Sequence, residues 1–227
     1  MIAKPKPAST VVLVDEEYNV FLTKRPESMK FLGGFFVFPG GGMDAEDTVV
    51  KEDLCIGGIS HHSLNRGHYI AAARELFEEV GILLGTTVDG SSINLTKGEI
   101  EKYQERLLAK EITFGEILEN ERILFNFDSL RYFGQITTPK KFPMRFDTKF
   151  FLTTLPKGQT PTPNSQEIDE AFWASPEEGL RLYHNKEIKL APPTIVVLES
   201  ITAYKKGGKL ELENEKVEQL AKNFSFK

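Results

Sequence analysis

The sequence predicts an α/β domain that carries helical insertions. Short β-rich segments and amphipathic helical patterns alternate along the 227 residues, with neither an internal repeat nor a low-complexity linker between them. Hydrophobic residues make up 40% of the chain, enough for a substantial core. We therefore expect residues 1–227 to form a single domain.

The first part of the chain predicts a hairpin, a glycine-rich turn and a long helix. Residues 8–14 and 18–23 are β-rich and flank a polar turn, which predicts a β-hairpin. Residues 33–43 combine a short aromatic strand with a glycine-rich turn. The polar residues 44–68 are expected to be partly helical, and residues 69–84 have a strongly helical pattern.

The second part predicts further helices and strands. The apolar pattern of residues 99–120 is typical of two short helices separated by a break near residues 113–115. Strands are predicted at 131–137, 146–155 and 170–174, and helices at 177–183 and 193–204. The tail, residues 207–227, is predicted to contain a hairpin-like piece followed by a charged helix.

Charge and composition argue against several classes of protein. The 28 Lys and Arg against 33 Asp and Glu give a net charge of −5, which is not typical of a nucleic-acid-binding protein. The single cysteine, Cys55, excludes an intrachain disulfide and fits a reducing compartment. The first residues do not resemble a signal peptide, and no apolar run approaches the roughly 18 residues of a membrane span. We therefore expect a cytoplasmic protein without nucleic-acid or membrane partners.

Residues 71–85 place three glutamates on one side of a predicted helix. At about 100° per residue, Glu75, Glu78 and Glu79 share an arc of roughly 100°, opposite an apolar face. Like charges at this spacing cost a few tenths of a kcal/mol per pair. A divalent cation offsets that cost, and Mg²⁺ usually takes one or two carboxylates together with substrate phosphates. On its own, such a helix is more often a solvated acidic surface.

A glycine-rich turn at residues 38–42, Phe-Pro-Gly-Gly-Gly, precedes this helix. Glycines let the backbone approach an anion or direct a carbonyl at a metal. Turn and helix together resemble the signature of the Nudix hydrolases, G-x5-E-x7-R-E-U-x-E-E-x-G-U, where U is aliphatic. The matching residues are Gly41, Arg74, Glu75, Leu76, Glu78, Glu79, Gly81 and Ile82.

The chain departs from this signature in two ways. Asp47 stands where the first glutamate is expected, at a position that mainly braces the loop in the family. Residues 48–73, which number 26 instead of seven, separate Asp47 from Arg74, so 26 − 7 = 19 residues are additional. We interpret them as an insertion at about residues 48–68. Because longer loops add closure entropy only slowly, both halves of the signature should survive it.

The resemblance implies the Nudix α/β/α sandwich, a mixed sheet between helices, with a further helical insert at about residues 98–130. It also implies a diphosphatase that uses one or more Mg²⁺ or Mn²⁺ ions to neutralise charge and to orient or activate water. A homodimer is implied by the resemblance alone.

The resemblance also assigns roles to the signature residues. Glu75, Glu78 and Glu79 are expected to bind the metal, close to the Gly41 carbonyl. Glu75 is the first candidate for activating the attacking water, and Glu78 is counted with it in catalysis. Arg74 is expected to orient the glutamates through an ion pair. Glu167 and Glu170 are alternative sources of a further carboxylate from outside the helix.

Residues 21–41 resemble a second signature, that of Nudix hydrolases acting on coenzyme A, L-L-T-x-R-[SA]-x3-R-x3-G-x3-F-P-G-G. Eight positions fit in register: Leu22, Thr23, Arg25, Gly34, Phe38, Pro39, Gly40 and Gly41. Lys30 replaces an arginine and keeps the charge without the planar fork. Segments as far as residue 204 are similar to the branch that contains the peroxisomal coenzyme A diphosphatase with an interrupted Nudix box.

The two resemblances imply a set of substrate-binding residues, namely Arg25, Lys30, Gly40, Gly41 and Arg145. For Arg145, a structural ion pair is an equal alternative to a phosphate contact. The first hypothesis is a coenzyme A or acyl-coenzyme A diphosphatase that releases a phosphopantetheine product and 3′,5′-ADP. The alternatives are a Nudix hydrolase of ADP-ribose or nucleotide sugars and a non-catalytic nucleotide-binding Nudix sensor. The complete set of helix glutamates argues against the sensor.

Overall fold

The computed structural model describes residues 3–59, 61 and 64–222, and within them ten strands and six α-helices are present. The strands are β1 (Lys6–Val14), β2 (Val20–Lys24), β3 (Phe36–Val37), β4 (Gly40–Gly42), β5 (Cys55–Ile56), β6 (Thr86–Thr87), β7 (Ile123–Asn126), β8 (Arg131–Thr137), β9 (Phe146–Thr154) and β10 (Glu170–Ala174). The helices are α1 (Arg66–Val80), α2 (Lys97–Leu108), α3 (Phe114–Asn120), α4 (Pro176–His184), α5 (Pro192–Lys205) and α6 (Asn214–Lys222).

A mixed sheet in the order β10-β2-β1-β9-β8 forms the middle layer of the fold. Strands β1 and β9 are parallel, and the other neighbours along this order are antiparallel. Side chains alternate along β1, so Val11 and Leu13 join the core under α1, while Val12 and Val14 join the core under α5. The arrangement confirms the predicted α/β/α sandwich.

Two different strands share one edge of β1, and a gap lies between them. Strand β9 pairs with β1 from Lys6 to Val14 and occupies the whole of one edge. The other edge is shared, because β4 pairs with Ala8–Thr10 and β2 pairs with β1 at Val14. The sheet therefore opens between β4 and β2, and the side chains described below meet at this opening.

Helix α1 is delimited by caps at both ends. The Asn65 side chain accepts a hydrogen bond from the His68 N–H at 3.2 Å, and the Asn65 N–H donates to His68 Nδ1 at 3.3 Å. This capping box begins the helix three residues before the predicted start at residue 69. Gly81 ends it in a left-handed conformation, φ 72°, and its N–H donates to the Phe77 carbonyl. The apolar run at residues 82–84 therefore continues outside the helix.

Most of the predicted elements are present. The hairpin is formed by β1 and β2, the two helices within residues 99–120 are α2 and α3, and the predicted strands and later helices correspond to β8, β9, β10, α4 and α5. The glycine turn differs, because Gly40–Gly42 pairs with β1 as a short strand. Glycine has a low strand propensity, so only the pairing with β1 reveals this element.

The two predicted inserts pack together. The insertion at 48–68 holds a single-turn 3₁₀ helix at Glu52–Leu54, strand β5 and the first turn of α1. Strand β5 pairs with β7, and β7 pairs with β6, in a second, three-stranded sheet. The segment 98–130 is therefore not helical throughout. In the described part of the tail no hairpin is present, and a segment that is neither helix nor strand leads into α6.

Candidate active site

The Arg74 guanidinium connects three separate elements. It is only 8% exposed, and its Nε and Nη2 donate to the two carboxylate oxygens of Asp47 at 2.9 and 3.2 Å. Nη2 also donates to the Gly42 carbonyl at 2.8 Å. Nη1 lies 2.9 Å from Glu75 Oε1 and 3.0 Å from Glu78 Oε2. One side chain thus joins the start of the insertion, strand β4 and the acidic face of α1.

Asp47 is the main partner of this arginine. It is 1% exposed, and it also accepts a hydrogen bond from the Asp44 N–H at 2.8 Å. Burial raises the pKa of Asp47, although the hydrogen bond and charge of Arg74 oppose that shift. Burial alone would lower the pKa of Arg74, but the acidic partners raise it overall, so the guanidinium stays protonated. The shorter aspartate therefore reaches the arginine in a bidentate pair.

Gly41 lies directly against the Glu75 carboxylate. A Cβ atom at this position would be 2.5 Å from Glu75 Oε1, and therefore too close. Pairing with Ser9 in β1 holds the Gly41 backbone in place, so the contact is fixed by the sheet. The absence of a side chain lets the carboxylate of α1 reach the opening of the sheet.

Glu79 is the most confined of the three helix glutamates. It is 5% exposed, and its Oε2 is buried without a hydrogen-bond partner in the described part of the chain. Burial, together with the charge of Glu75, raises the pKa of Glu79 well above its usual range. The Arg25 charge and the Gly40 N–H oppose this shift only in part. A buried carboxylate oxygen without a donor is a candidate ligand for a cation.

The neighbouring carboxylates experience the same environment. Burial raises the pKa of Glu75 to about 8, with a further upward contribution from Glu78. Burial also raises the pKa of Glu167, again with a contribution from Glu78. Several acidic groups thus lie close together in a poorly solvated environment. A divalent cation would stabilise their charged forms there.

The carboxylates at this position suit a cation site whose remaining ligands come from the substrate and water. Among residues 3–59, 61 and 64–222, no group of three or more His, Cys, Asp or Glu side chains is assembled to hold a metal ion. Mg²⁺ does not need such a group, because it commonly binds one or two carboxylates and takes its other ligands from phosphates and water. Glu75 and Glu79 meet that requirement.

A cavity of about 360 Å³ joins these carboxylates to an apolar compartment. Its acidic end is lined by Glu75, Glu79 and Glu167, with Arg25 and the β4 glycines beside them. Its other walls are formed by Phe31, Phe38, Ile136, Phe142, Phe146, Phe150, the start of α5, and Val217 and Ala221 of α6. The space beside the carboxylates therefore continues into a compartment that is largely apolar.

Comparison with known proteins decides the family. The sequence model of the NUDT19 Nudix domain family matches residues 64–201, more than half of the chain. The chain belongs to the Nudix hydrolase family. The crystal structure of a NUDIX hydrolase from Alicyclobacillus acidocaldarius has a TM-score of 0.81 and 25% identity, and the match covers 94% of this chain and 100% of that one.

Two curated relatives are named acyl-coenzyme A diphosphatase NUDT19. The Xenopus laevis protein is 25% identical in an alignment of 227 positions that covers 82% of this chain and 60% of the relative. The Gallus gallus protein is 29% identical over 141 positions, which cover 55% of this chain and 37% of the relative. The chain thus spans 60% or less of the length of these two relatives. The predicted Nudix hydrolase family is confirmed.

Within this Nudix hydrolase, several predicted substrate-binding residues line the cavity. Arg25 follows β2, lines the acidic end, and donates from Nε to the Phe31 carbonyl at 3.3 Å. Gly40 and Gly41 line the cavity through β4. Of the two further carboxylates, Glu167 lines the cavity and Glu170 is exposed at the start of β10. The structure thereby separates two candidates that the sequence leaves equal.

Lys30 and Arg145 are placed differently. Lys30 is exposed and does not line the described cavity. Arg145 donates to the Thr138 and Ala3 carbonyls, both at 2.8 Å, and it is also absent from the cavity wall. These contacts are neither a phosphate contact nor the alternative structural ion pair. Substrate binding by the two side chains stays a prediction.

The loop that carries Glu167 is anchored on the Nudix helix. The Asn164 N–H donates to the Glu79 carbonyl at 2.8 Å, and the Glu167 N–H donates to the Asn164 carbonyl at 3.0 Å. Asn164 is buried, unlike most asparagines in loops. No local pattern in the sequence marks this attachment, because its partner lies in another element.

Gly41→Ala should lower the rate at which the enzyme hydrolyses its diphosphate substrate, with little loss in the free energy of unfolding. The new methyl group displaces the Glu75 carboxylate, and a displacement of about 1 Å at a reacting centre can cost roughly 100-fold. The free energy of unfolding should change by less than about 1 kcal/mol, because the end of a flexible side chain absorbs the clash. The matched control is Gly42→Ala, since a Cβ there meets no atom within 4 Å. Equal loss of turnover in both variants would contradict the contact.

Asp47→Ala should lower the free energy of unfolding by about 3 kcal/mol, since it leaves a buried guanidinium without its main partner. Urea denaturation provides the measurement. The control is Glu52→Ala, which removes the partner of Arg66 at 3.0 Å, where the Glu52 side chain is 91% exposed. An exposed pair of this kind contributes about 1 kcal/mol or less. Similar losses in both variants would refute the structural role of Asp47.

Proposed function

We propose that this Nudix hydrolase is a metal-dependent diphosphatase of coenzyme A or acyl-coenzyme A. The observation that carries the proposal is the single cavity in which the carboxylates open into an apolar compartment. A nucleotide sugar would place hydroxyl groups against those apolar walls, whereas a pantetheine or acyl group would bury apolar surface there. The match of residues 21–41 to the coenzyme A signature and the names of the two curated relatives support the same substrate.

In this proposal Glu75 and Glu79 hold Mg²⁺ or Mn²⁺, and Glu78, Glu167 and the Gly41 carbonyl are further candidate ligands. When bound there, such a cation would supply positive charge to the diphosphate and a site that orients water. Bound positive charge would also lower the pKa of Glu75, which is about 8 in the isolated protein, and so restore its basic form near neutral pH.

The remaining steps follow from the side chains. Glu75 accepts a proton from water, whose oxygen forms a bond to one phosphorus of the diphosphate. The bond between that phosphorus and the bridging oxygen breaks, and the bridging oxygen leaves with the other phosphate. Arg74 positions Glu75 and Glu78 through its ion pairs. With coenzyme A the products are 3′,5′-ADP and a phosphopantetheine.

Other expectations from the sequence stay predictions. These are the single domain, the cytoplasmic location, the homodimer, and the lack of nucleic-acid and membrane partners. Within the described residues, no helix has both the length and the apolar character needed to cross a membrane.

A substrate panel tests the proposal. Free coenzyme A, acetyl- and octanoyl-coenzyme A, ADP-ribose and UDP-glucose would be incubated with Mg²⁺, Mn²⁺ or EDTA, and products identified by mass. We expect 3′,5′-ADP from the coenzyme A compounds only, and no turnover in EDTA. If ADP-ribose or UDP-glucose were hydrolysed in preference to the coenzyme A compounds, the proposed substrate would be wrong. Tight binding of one compound without turnover of any would indicate a sensor.

Glu79→Gln should strongly reduce turnover and also stabilise the metal-free protein. Removing a positioned electrostatic group at a reacting centre costs roughly 10²- to 10³-fold. Without metal, folding raises the pKa of Glu79 and therefore costs stability at neutral pH, where the unfolded chain keeps this carboxylate ionised. The neutral amide removes that cost, so the free energy of unfolding at neutral pH should rise by about 1–3 kcal/mol. The substrate panel with Mg²⁺ measures the loss of turnover, and thermal unfolding with Mg²⁺ and with EDTA measures the change in stability.

The matched control for this variant is Glu105→Gln, at an exposed position of α2. It should leave turnover and the stabilisation by Mg²⁺ unchanged. If Mg²⁺ stabilised Glu79→Gln as strongly as the wild type, Glu79 would not be a metal ligand.

A further inference from the structure

Helix α6 contributes part of the wall of the catalytic cavity. Val217 and Ala221 lie four residues apart, on the same side of this helix, and both are buried. Both line the cavity that contains Glu75 and Glu79, although they lie about 140 residues later in the chain. The tail is therefore a component of the site.

Helix α6 is held at both ends. At its C-terminal end, Lys141 Nζ donates to the Ala221 carbonyl and, at 3.3 Å, to the Lys222 carbonyl. In its first turn, Lys216 Nζ lies 2.7 Å from Glu199 Oε2 of α5. Because these contacts join the helix to α5 and to the loop after β8, Val217 and Ala221 have a fixed position relative to the sheet.

The segment before α6 strengthens this attachment. Ser200 Oγ of α5 donates to the Glu211 carbonyl at 2.6 Å. Leu212 packs over Gly134 of β8, where an added Cβ would lie 2.9 Å from Leu212 Cγ. This segment thus packs closely against the sheet and α5, and these contacts help to fix the position of α6 in the cavity wall.

The wall that α6 completes is apolar. Val217 and Ala221 are joined there by Ile136 of β8, Phe142 of the following loop and Phe150 of β9. None of these five side chains is polar, whereas the acidic end holds three carboxylates and an arginine. The cavity therefore suits a ligand with a charged group at the acidic end and an apolar group at the other.

We propose that Val217 and Ala221 of α6, together with Phe142, form a subsite for the acyl chain, so that α6 determines which acyl-coenzyme A chain lengths are hydrolysed. This inference rests on the proposed coenzyme A diphosphatase function and specifies its substrate. The apolar walls favour longer chains over free coenzyme A until the compartment is full. Each buried methylene should raise kcat/KM by up to about fourfold.

The test compares kcat/KM for free coenzyme A with that for acetyl-, butanoyl-, octanoyl- and dodecanoyl-coenzyme A. In the wild type, kcat/KM should rise along the series and then level off. Ala221→Phe fills the subsite, so the ratio of octanoyl- to free coenzyme A should fall at least tenfold. Val217→Ala enlarges the subsite, so the chain length at which kcat/KM levels off should increase.

The matched control is Gln219→Phe, which adds an aromatic ring on the exposed side of the same helix. It should leave the octanoyl-to-free ratio unchanged. Thermal unfolding of each variant checks the fold, and Val217→Ala provides the readout if Ala221→Phe does not fold.

The outcomes separate the two proposals. If the wild type hydrolyses none of these compounds, the proposed function fails. If the wild type hydrolyses them and neither variant changes the dependence on chain length, the acyl subsite is refuted. An equal fall for free and acylated coenzyme A in Ala221→Phe would also refute it, because the wall would then contact the nucleotide or pantetheine that all the substrates share.

Discussion

The bidentate pair between Arg74 and Asp47 is the interaction on which the site depends. It fastens the start of the insertion to the Nudix helix, and the same guanidinium holds the Gly42 carbonyl and two glutamates. Burying a guanidinium is costly unless its donors are satisfied, and here they are distributed over a carboxylate pair, a carbonyl and the acidic helix face. The three parts of the Nudix signature therefore cannot move independently.

The same arrangement leaves the charged forms of the three glutamates poorly stabilised. Arg74 neutralises Glu78 and part of Glu75, but Glu79 keeps an unpartnered buried oxygen, and burial raises the pKa of all three. Two apolar cores, one on each face of the sheet, supply the stability that offsets this cost. A divalent cation bound there would stabilise the charged forms of these glutamates.

The sequence predicts what is local and periodic, and it misses what tertiary contacts decide. Helical geometry fixes the spacing of Glu75, Glu78 and Glu79, so the sequence is enough to predict that they share one face of α1. Glu167 and Glu170 have equivalent local patterns, and only the attachment of the loop to α1 through Asn164 distinguishes them. The strand character of Gly40–Gly42 and the place of α6 in the cavity depend on distant partners, which no local pattern encodes.

An interrupted signature is compatible with an intact site because the interruption is confined between fixed points. Arg74 holds Asp47 on one side, and the capping box of Asn65 begins α1 on the other. Between them, the insertion pairs with β7 and packs against the core that lies under α1. The additional residues therefore add a cost in closure entropy without moving the carboxylates of α1. By the same reasoning, the tail can line the cavity from far along the chain, because α5 and β8 fix where α6 lies.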